Sequence, residues 1–170
     1  VDFNVRLKKD VNIDQINETI SALRNKNNFY GILSKLELIK IKLKNQKIED
    51  TIILYNELFD SKNLDKIYKS AIASKAAYEF IDLNFEDLNS DFLKTIESFI
   101  SIIDEELISY KGVKLELNYL SKILTAKIND IEYSDYTDAL KLYESIMNSD
   151  VASSATKERI KKIHEFFFYQ

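Results

Sequence analysis

His164 is the only imidazole in this 170-residue chain, and there is no cysteine and no tryptophan. A nucleophilic relay needs a hydroxyl or thiol, a base within hydrogen-bond reach and a third group that orients the base. His164 sits among Lys161, Lys162 and Glu165, and the sequence places no nucleophile beside it. It reads as a structural histidine of the last helix. One His without Cys cannot supply a zinc site of the usual kind, and disulfides are excluded. Asp104-Glu105-Glu106 is a dense carboxylate run that oxygen-seeking cations could use. Consecutive helical residues point to different sides, so the triple reads as a solvated face. Gly31 and Gly112 are isolated and build no phosphate-cradling loop. Nothing singles out a carboxylate pair for glycoside chemistry. No catalytic residue, cofactor site, cofactor or metal ligand is assigned, and the chain reads as not an enzyme.

Binding is the chemistry that remains. The chain has 10 Tyr and 10 Phe. Aromatics on the concave face of a helical array grip peptides. Tyr30, Tyr78, Tyr110 and Tyr119 fall outside the repeat's core positions; packing is the first reading of them, and Tyr30, Tyr78 and Tyr119 are the candidates for such contacts. The run Phe166-Phe167-Phe168-Tyr169 is wider than one helix face. Part of it must be exposed or covered by a partner, a second copy included. Phe166 and Phe168 therefore join the candidate partner-binding set, and a homodimer is compatible with it. Lys40, Lys44 and Lys47 collect where cations suit a helix C-terminus, with an anion or acidic-peptide site as the alternative. Net charge is −4 and the isoelectric point about 5.2, so bulk electrostatics argue against nucleic acid as a partner.

The elements that must carry these residues are helices. Two Gly and no Pro leave almost nothing for hairpin turns or sandwich corners. The 45% hydrophobic content argues against disorder. Ile13, Ile16, Ile20 and Leu23 form one stripe, and Ile32, Leu36, Ile39 and Leu43 form the next. A third helix follows Lys47, and a fourth runs over 64–84 with a cluster of small residues at Ala71, Ala73, Ala76 and Ala77. Asn89-Ser90-Asp91 is an N-cap cluster, opening a helix expected to reach about Ile108, with Gly112 expected just past its end. Val113, Leu115, Leu117 and Tyr119 alternate as a strand would, but a lone strand lacks a partner, and helix is the reading here. Two more helices start near Ser134-Asp135 and Ser153 or Ser154. The expected fold is all-α, about eight helices without a sheet, in a single domain over 11–170 after a linker at 1–10.

A period organises them. The segments 46–60, 90–104 and 134–148 align without gaps at a spacing of 44. Ile48, Phe92 and Tyr136 are equivalent, as are Thr51, Thr95 and Ala139. So are Tyr55, Phe99 and Tyr143. The helix before each repeats as well: Phe29, Ile32 and Leu36 match Ala73, Ala76 and Phe80, then Leu117, Leu120 and Leu124. Such a period implies a right-handed stack of antiparallel helical hairpins that bury one another's apolar faces, with the first and last helices as caps.

Ser134-DYTDALKLYESIM resembles the second helix of a tetratricopeptide repeat, with Tyr136, Ala139 and Tyr143 in the aromatic, small and aromatic places. Ile48, Thr51 and Tyr55 fill those places more weakly, as do Phe92, Thr95 and Phe99. The first helices lack the Trp, the period is 44 where such repeats have 34, and the closing Pro is absent. More narrowly, Phe29-YGILSKLELIKIKLKNQKIEDTIILYNEL and Ser70-AIASKAAYEF resemble the YfgM family, the ancillary subunit of the Sec translocon. Lys111-GVKLELNYLSKILTAKINDIEYSDYTDALKLYESIM and Thr156-KERIKKIHEF continue the likeness. With 23 Ile, 21 Lys and three Arg, the composition is that of an AT-rich genome, similar to a rickettsia-like alphaproteobacterial branch. The resemblance implies a scaffold for a protein or peptide partner on the periplasmic side of the inner membrane. An N-terminal anchor missing from this sequence would hold it there. It implies no catalytic residue. A soluble cytosolic or secreted adaptor of the same architecture is the alternative.

Overall fold

The computed structural model describes residues 13–26 and 28–169, so the segment 1–10, read as a linker, lies outside them. The described residues form eight α-helices and no strand. These are α1 (Ile13–Arg24), α2 (Phe29–Lys44), α3 (Ile48–Phe59), α4 (Lys66–Glu86), α5 (Ser90–Ile102), α6 (Ile108–Ile128), α7 (Thr137–Met147) and α8 (Ser154–Phe168). A 3-10 turn at Tyr133–Asp135 precedes α7. The all-α reading holds. The contacts gather into two compact units that divide after Leu64, where the sequence reading drew one domain over 11–170.

Local chemistry sets the boundaries. Four helices open on a side chain that accepts from an otherwise unpaired backbone N–H. Asn28 Oδ1 takes Gly31 N at 3.2 Å, Asp65 Oδ1 takes Ile67 N at 2.8 Å, Asn89 Oδ1 takes Asp91 N at 2.8 Å and Ser153 Oγ takes Thr156 N at 3.1 Å. α2 and α6 close without glycine. Gln46 (φ 56) and Asp130 (φ 53) adopt the left-handed conformation. The next residue's N–H then bonds back into the last turn, Lys47 to Lys42 O and Ile131 to Ala126 O, each at 2.9 Å.

In the first unit α2 packs with α1 and α3. Its core holds Leu38, Ile39, Leu54, Tyr55, Leu58 and Phe59, with the Tyr55 and Phe59 rings stacked 6.1 Å apart. α2 buries Gly31, Ser34, Leu38 and Ile39. The expected stripe is therefore corrected: Ile32 and Leu36 are half-buried, and Phe29 is exposed. The buried face is turned toward the small residues because backbone comes closest there. A Cβ on Gly31 would lie 1.8 Å from the Lys26 carbonyl oxygen. Arg24 grips Glu57 with two prongs, Nε lying 3.1 Å from Oε2 and Nη2 bonded to Oε1.

In the second unit α4 packs on both α5 and α6. Of the small-residue cluster, Ala73, Ala76 and Ala77 are buried along it and Ala71 is half-buried; Ser70 and Ser74 join the buried face. Phe80 stands edge-on to Phe92 and Phe99, at 5.7 and 5.4 Å. α5 ends at Ile102, a turn and a half before the expected Ile108. The Ser70 hydroxyl stops it by accepting from Asp104 N at 3.0 Å, and Lys114 Nζ donates to Ile103 O at 3.0 Å. Gly112 is accordingly not a helix terminator. It lies buried inside α6, and a Cβ there would sit 3.4 Å from Val151 O. The alternating stretch 113–119 is helical, as read.

α3, α5 and α7 end at Phe59, Ile102 and Met147, close to the 44-residue spacing. Tyr55 and Phe99 are buried and Tyr143 is half-buried, so the second helices keep one inward face. α4 and α6 instead repeat at 42 residues, and α2 is shorter than either. These boundaries do not establish a uniform 44-residue unit.

Candidate functional site

The densest side-chain chemistry lies where α6, the 3-10 turn, α7 and α8 meet. Tyr119, Ile123, Tyr133, Ala139, Ile146, Ala152 and Ile160 form a buried cluster there. Tyr119 is on α6, and helical spacing puts its ring inward with Ile123. Its hydroxyl lies 2.5 Å from that of Tyr133, which lies 2.9 Å from His164 Nδ1 on α8. The imidazole stacks flat on Tyr143, centroids 3.8 Å apart at 9°. Phe168 covers it at 5.4 Å, and Tyr133 meets it edge-on at 5.5 Å. Burial raises both phenols and lowers His164, while the Glu165 charge opposes that lowering. A buried phenol held above its ordinary range stays protonated and is a poor base. The cluster is suited to orienting α8.

The end of α8 turns the rest of its aromatics outward. Phe167 is half-buried, stacked on Phe85 at 6.2 Å with Lys127 Nζ 4.9 Å from its ring centre. Phe166 and Phe168 are 61% and 43% exposed, and Tyr169 more so. One helical run thus anchors itself by one ring and presents three.

The candidate residues fall into three situations. Tyr30 lies on α2 in the first unit, 64% exposed, beside exposed Phe29 and Leu33. Phe166 and Phe168 share the exposed end of α8. Tyr119 is corrected: its side chain is fully buried and occupied by Tyr133, so it offers no partner surface. Tyr78 is half-buried, its phenol raised by burial and by the carboxylate of Glu116. That carboxylate is only 7% exposed and is held by Arg159 of α8. Sequence reasoning missed Phe29 and Tyr169. Phe29 and Tyr30 stand about 100° apart in the first turn of a helix, the same angle as Leu38 and Ile39, which are both buried, so no local signal marked Phe29 as exposed.

The acidic triple is not on a helix. Asp104, Glu105 and Glu106 form the turn between α5 and α6. Asp104 accepts from Glu106 N at 2.9 Å and pairs with Lys66 at 3.1 Å, while Glu105 pairs with Lys114 at 2.8 Å. The two lysines offset two of the three charges, and Lys66 also lies 3.8 Å from Glu106. Among the described residues no group of three or more His, Asp or Glu is arranged to hold a metal ion. No described helix is long and apolar enough to cross a membrane.

No family model matches the chain, and neither a curated protein nor a solved structure does.

Proposed function

We propose that the chain is a non-enzymatic protein-interaction scaffold that takes up an apolar or aromatic segment of a protein partner. The observation that carries this reading is the end of α8. Phe167 fixes the helix, while Phe166 is exposed on one side of it and the adjacent rings of Phe168 and Tyr169 are exposed at its end, Phe168 with one face on His164. Exposed apolar surface gains about 25 cal/mol for each Å² that a partner covers, and adjacent rigid aromatics lose little side-chain entropy on binding. Phe29, Tyr30 and Leu33 make a second exposed apolar group on α2, in the other unit.

The finer reading is a membrane-anchored scaffold at the Sec translocon or its periplasmic chaperones, and it rests on the sequence resemblance. Purification of the full-length protein from membranes, followed by identification of what co-purifies, tests it. Recovery of translocon or chaperone components from the parent, and their loss from a Phe166→Ser, Phe168→Ser variant, is the expected result. Absence of every such component from the parent sample overturns it. A soluble adaptor is the second reading. An apolar span of about 20 residues ahead of Val1 in the native reading frame would count against that alternative.

A further inference from the structure

The hydrogen count at His164 points beyond binding. Two contacts, Tyr119 Oη to Tyr133 Oη at 2.5 Å and Tyr133 Oη to His164 Nδ1 at 2.9 Å, link three polar atoms in series. With a neutral imidazole protonated on Nε2, Tyr119 donates to Tyr133 and Tyr133 donates to Nδ1. Each contact then holds one hydrogen. An imidazolium brings a third hydrogen, on Nδ1. Three hydrogens then share two contacts, so one is left without an acceptor in the chain. Both phenols are buried, which puts that orphan away from water.

We propose that Tyr119, Tyr133 and His164 form an acid-sensitive latch, which docks the C-terminal half of α8 while His164 is neutral and releases it when His164 takes a proton. Every element packed against the ring is accounted for. α6 brings Tyr119, the 3-10 turn brings Tyr133 and α7 brings Tyr143. α8 brings Phe168 together with Lys161 and Glu165, which pair with each other at 3.9 Å. Glu165 is the one charge that favours the proton. Among the described residues no carboxylate of α6, α7 or the turn forms an ion pair with the ring. Release would uncover Tyr143 and Phe167, adding to the aromatics already exposed. The latch operates with or without a partner.

The sign follows from burial. His164 is held below its ordinary 6.5. The unfolded or undocked state therefore takes up the proton first as pH falls. Docking is complete above about 6.5 and is lost as pH drops through the native value. Asp82, raised by burial and by Glu86 and Glu79, works in the opposite direction.

Nuclear magnetic resonance on the whole chain tests this. The ring nitrogen shifts of His164 should show the Nε2–H form at pH 7.5, with a titration midpoint below 6.5. Amide exchange across Ile163–Phe168, corrected for intrinsic rates, should accelerate relative to α4 between pH 7.5 and 5. His164→Gln, whose side-chain oxygen can accept from Tyr133 without titrating, should lose that acceleration. If this variant does not fold, the tautomer and the midpoint of the parent decide. An Nδ1–H tautomer, a midpoint at or above 6.5, or equal acceleration in a folded His164→Gln overturns the latch.

Discussion

Arg159 on α8 closes a two-pronged ion pair on Glu116 of α6, with Nε 3.2 Å from Oε1 and Nη2 2.6 Å from Oε2. The carboxylate is nearly buried and the guanidinium is half in water. Such a pair is stabilising chiefly in the sense that breaking it strands a charge. Together with the hydrogen-bonded chain at His164, it ties the last helix to the middle of its unit at two heights.

Arg159→Met should therefore cost more than an ordinary surface substitution. Removing one partner of a buried pair costs about 3–5 kcal/mol; the exposure of Arg159 lowers the expectation to about 2–3 kcal/mol. Arg159→Met with Glu116→Leu should recover most of it. Urea denaturation of the two single variants and the double variant checks this, and additive losses would contradict the pairing.

The two glycines should respond in opposite ways. Gly31→Ala drives a methyl into the Lys26 carbonyl, and a loss of about 2 kcal/mol or more is expected. Gly112→Ala meets only an ordinary contact with Val151 O, at a helix-interior position where Ala exceeds Gly by up to about 1 kcal/mol. Thermal melts should show Gly112→Ala unchanged or more stable.

Gln46→Gly should stabilise the chain by about 0.5–1 kcal/mol, since it removes the strain of a long side chain at φ 56. Asp130→Gly should gain less, because Asp tolerates the left-handed region better. Denaturant midpoints compare the two.

Phe99→Ala removes a fully buried ring standing edge-on to Phe80, and about 3–5 kcal/mol should be lost. Tyr30→Ser, on an exposed ring, should change stability by less than about 0.5 kcal/mol. Equal losses in the two variants would refute the core assignment.

Acid should weaken the first unit below about pH 4.5. The Arg24 hydrogen bond holds the Glu57 carboxyl below its ordinary 4.5, although burial pushes the other way. Its contribution is present above that value and is lost as pH falls through the lower native one. A Glu57→Gln variant should show a shallower acid limb in pH-dependent melts.

Much of the helix pattern was legible in the residues. Asn28, Asn89 and Ser153 mark helix starts because their side chains bond to the N–H groups that a new helix leaves unpaired. The recurrence of Tyr55, Phe99 and Tyr143 marks the inward side of three helices because 3.6-residue periodicity is a property of the local chain. The candidate site was less legible. Tyr119 and Tyr30 are alike as letters, yet one is sealed against Tyr133 and the other stands in water.

Sequence alone determined that this protein is helical, that Asn28, Asn89 and Ser153 open helices and which face of each second helix turns inward, since each follows from interactions within a few residues of one chain. Only the tertiary structure decided that Gly112 lies inside a helix beneath Val151, that Phe29 is exposed, and that the lone His164 completes a buried chain of hydroxyls. Those outcomes depend on which distant backbone comes close, and a backbone 30 or 40 residues away leaves no periodic mark on the segment it covers.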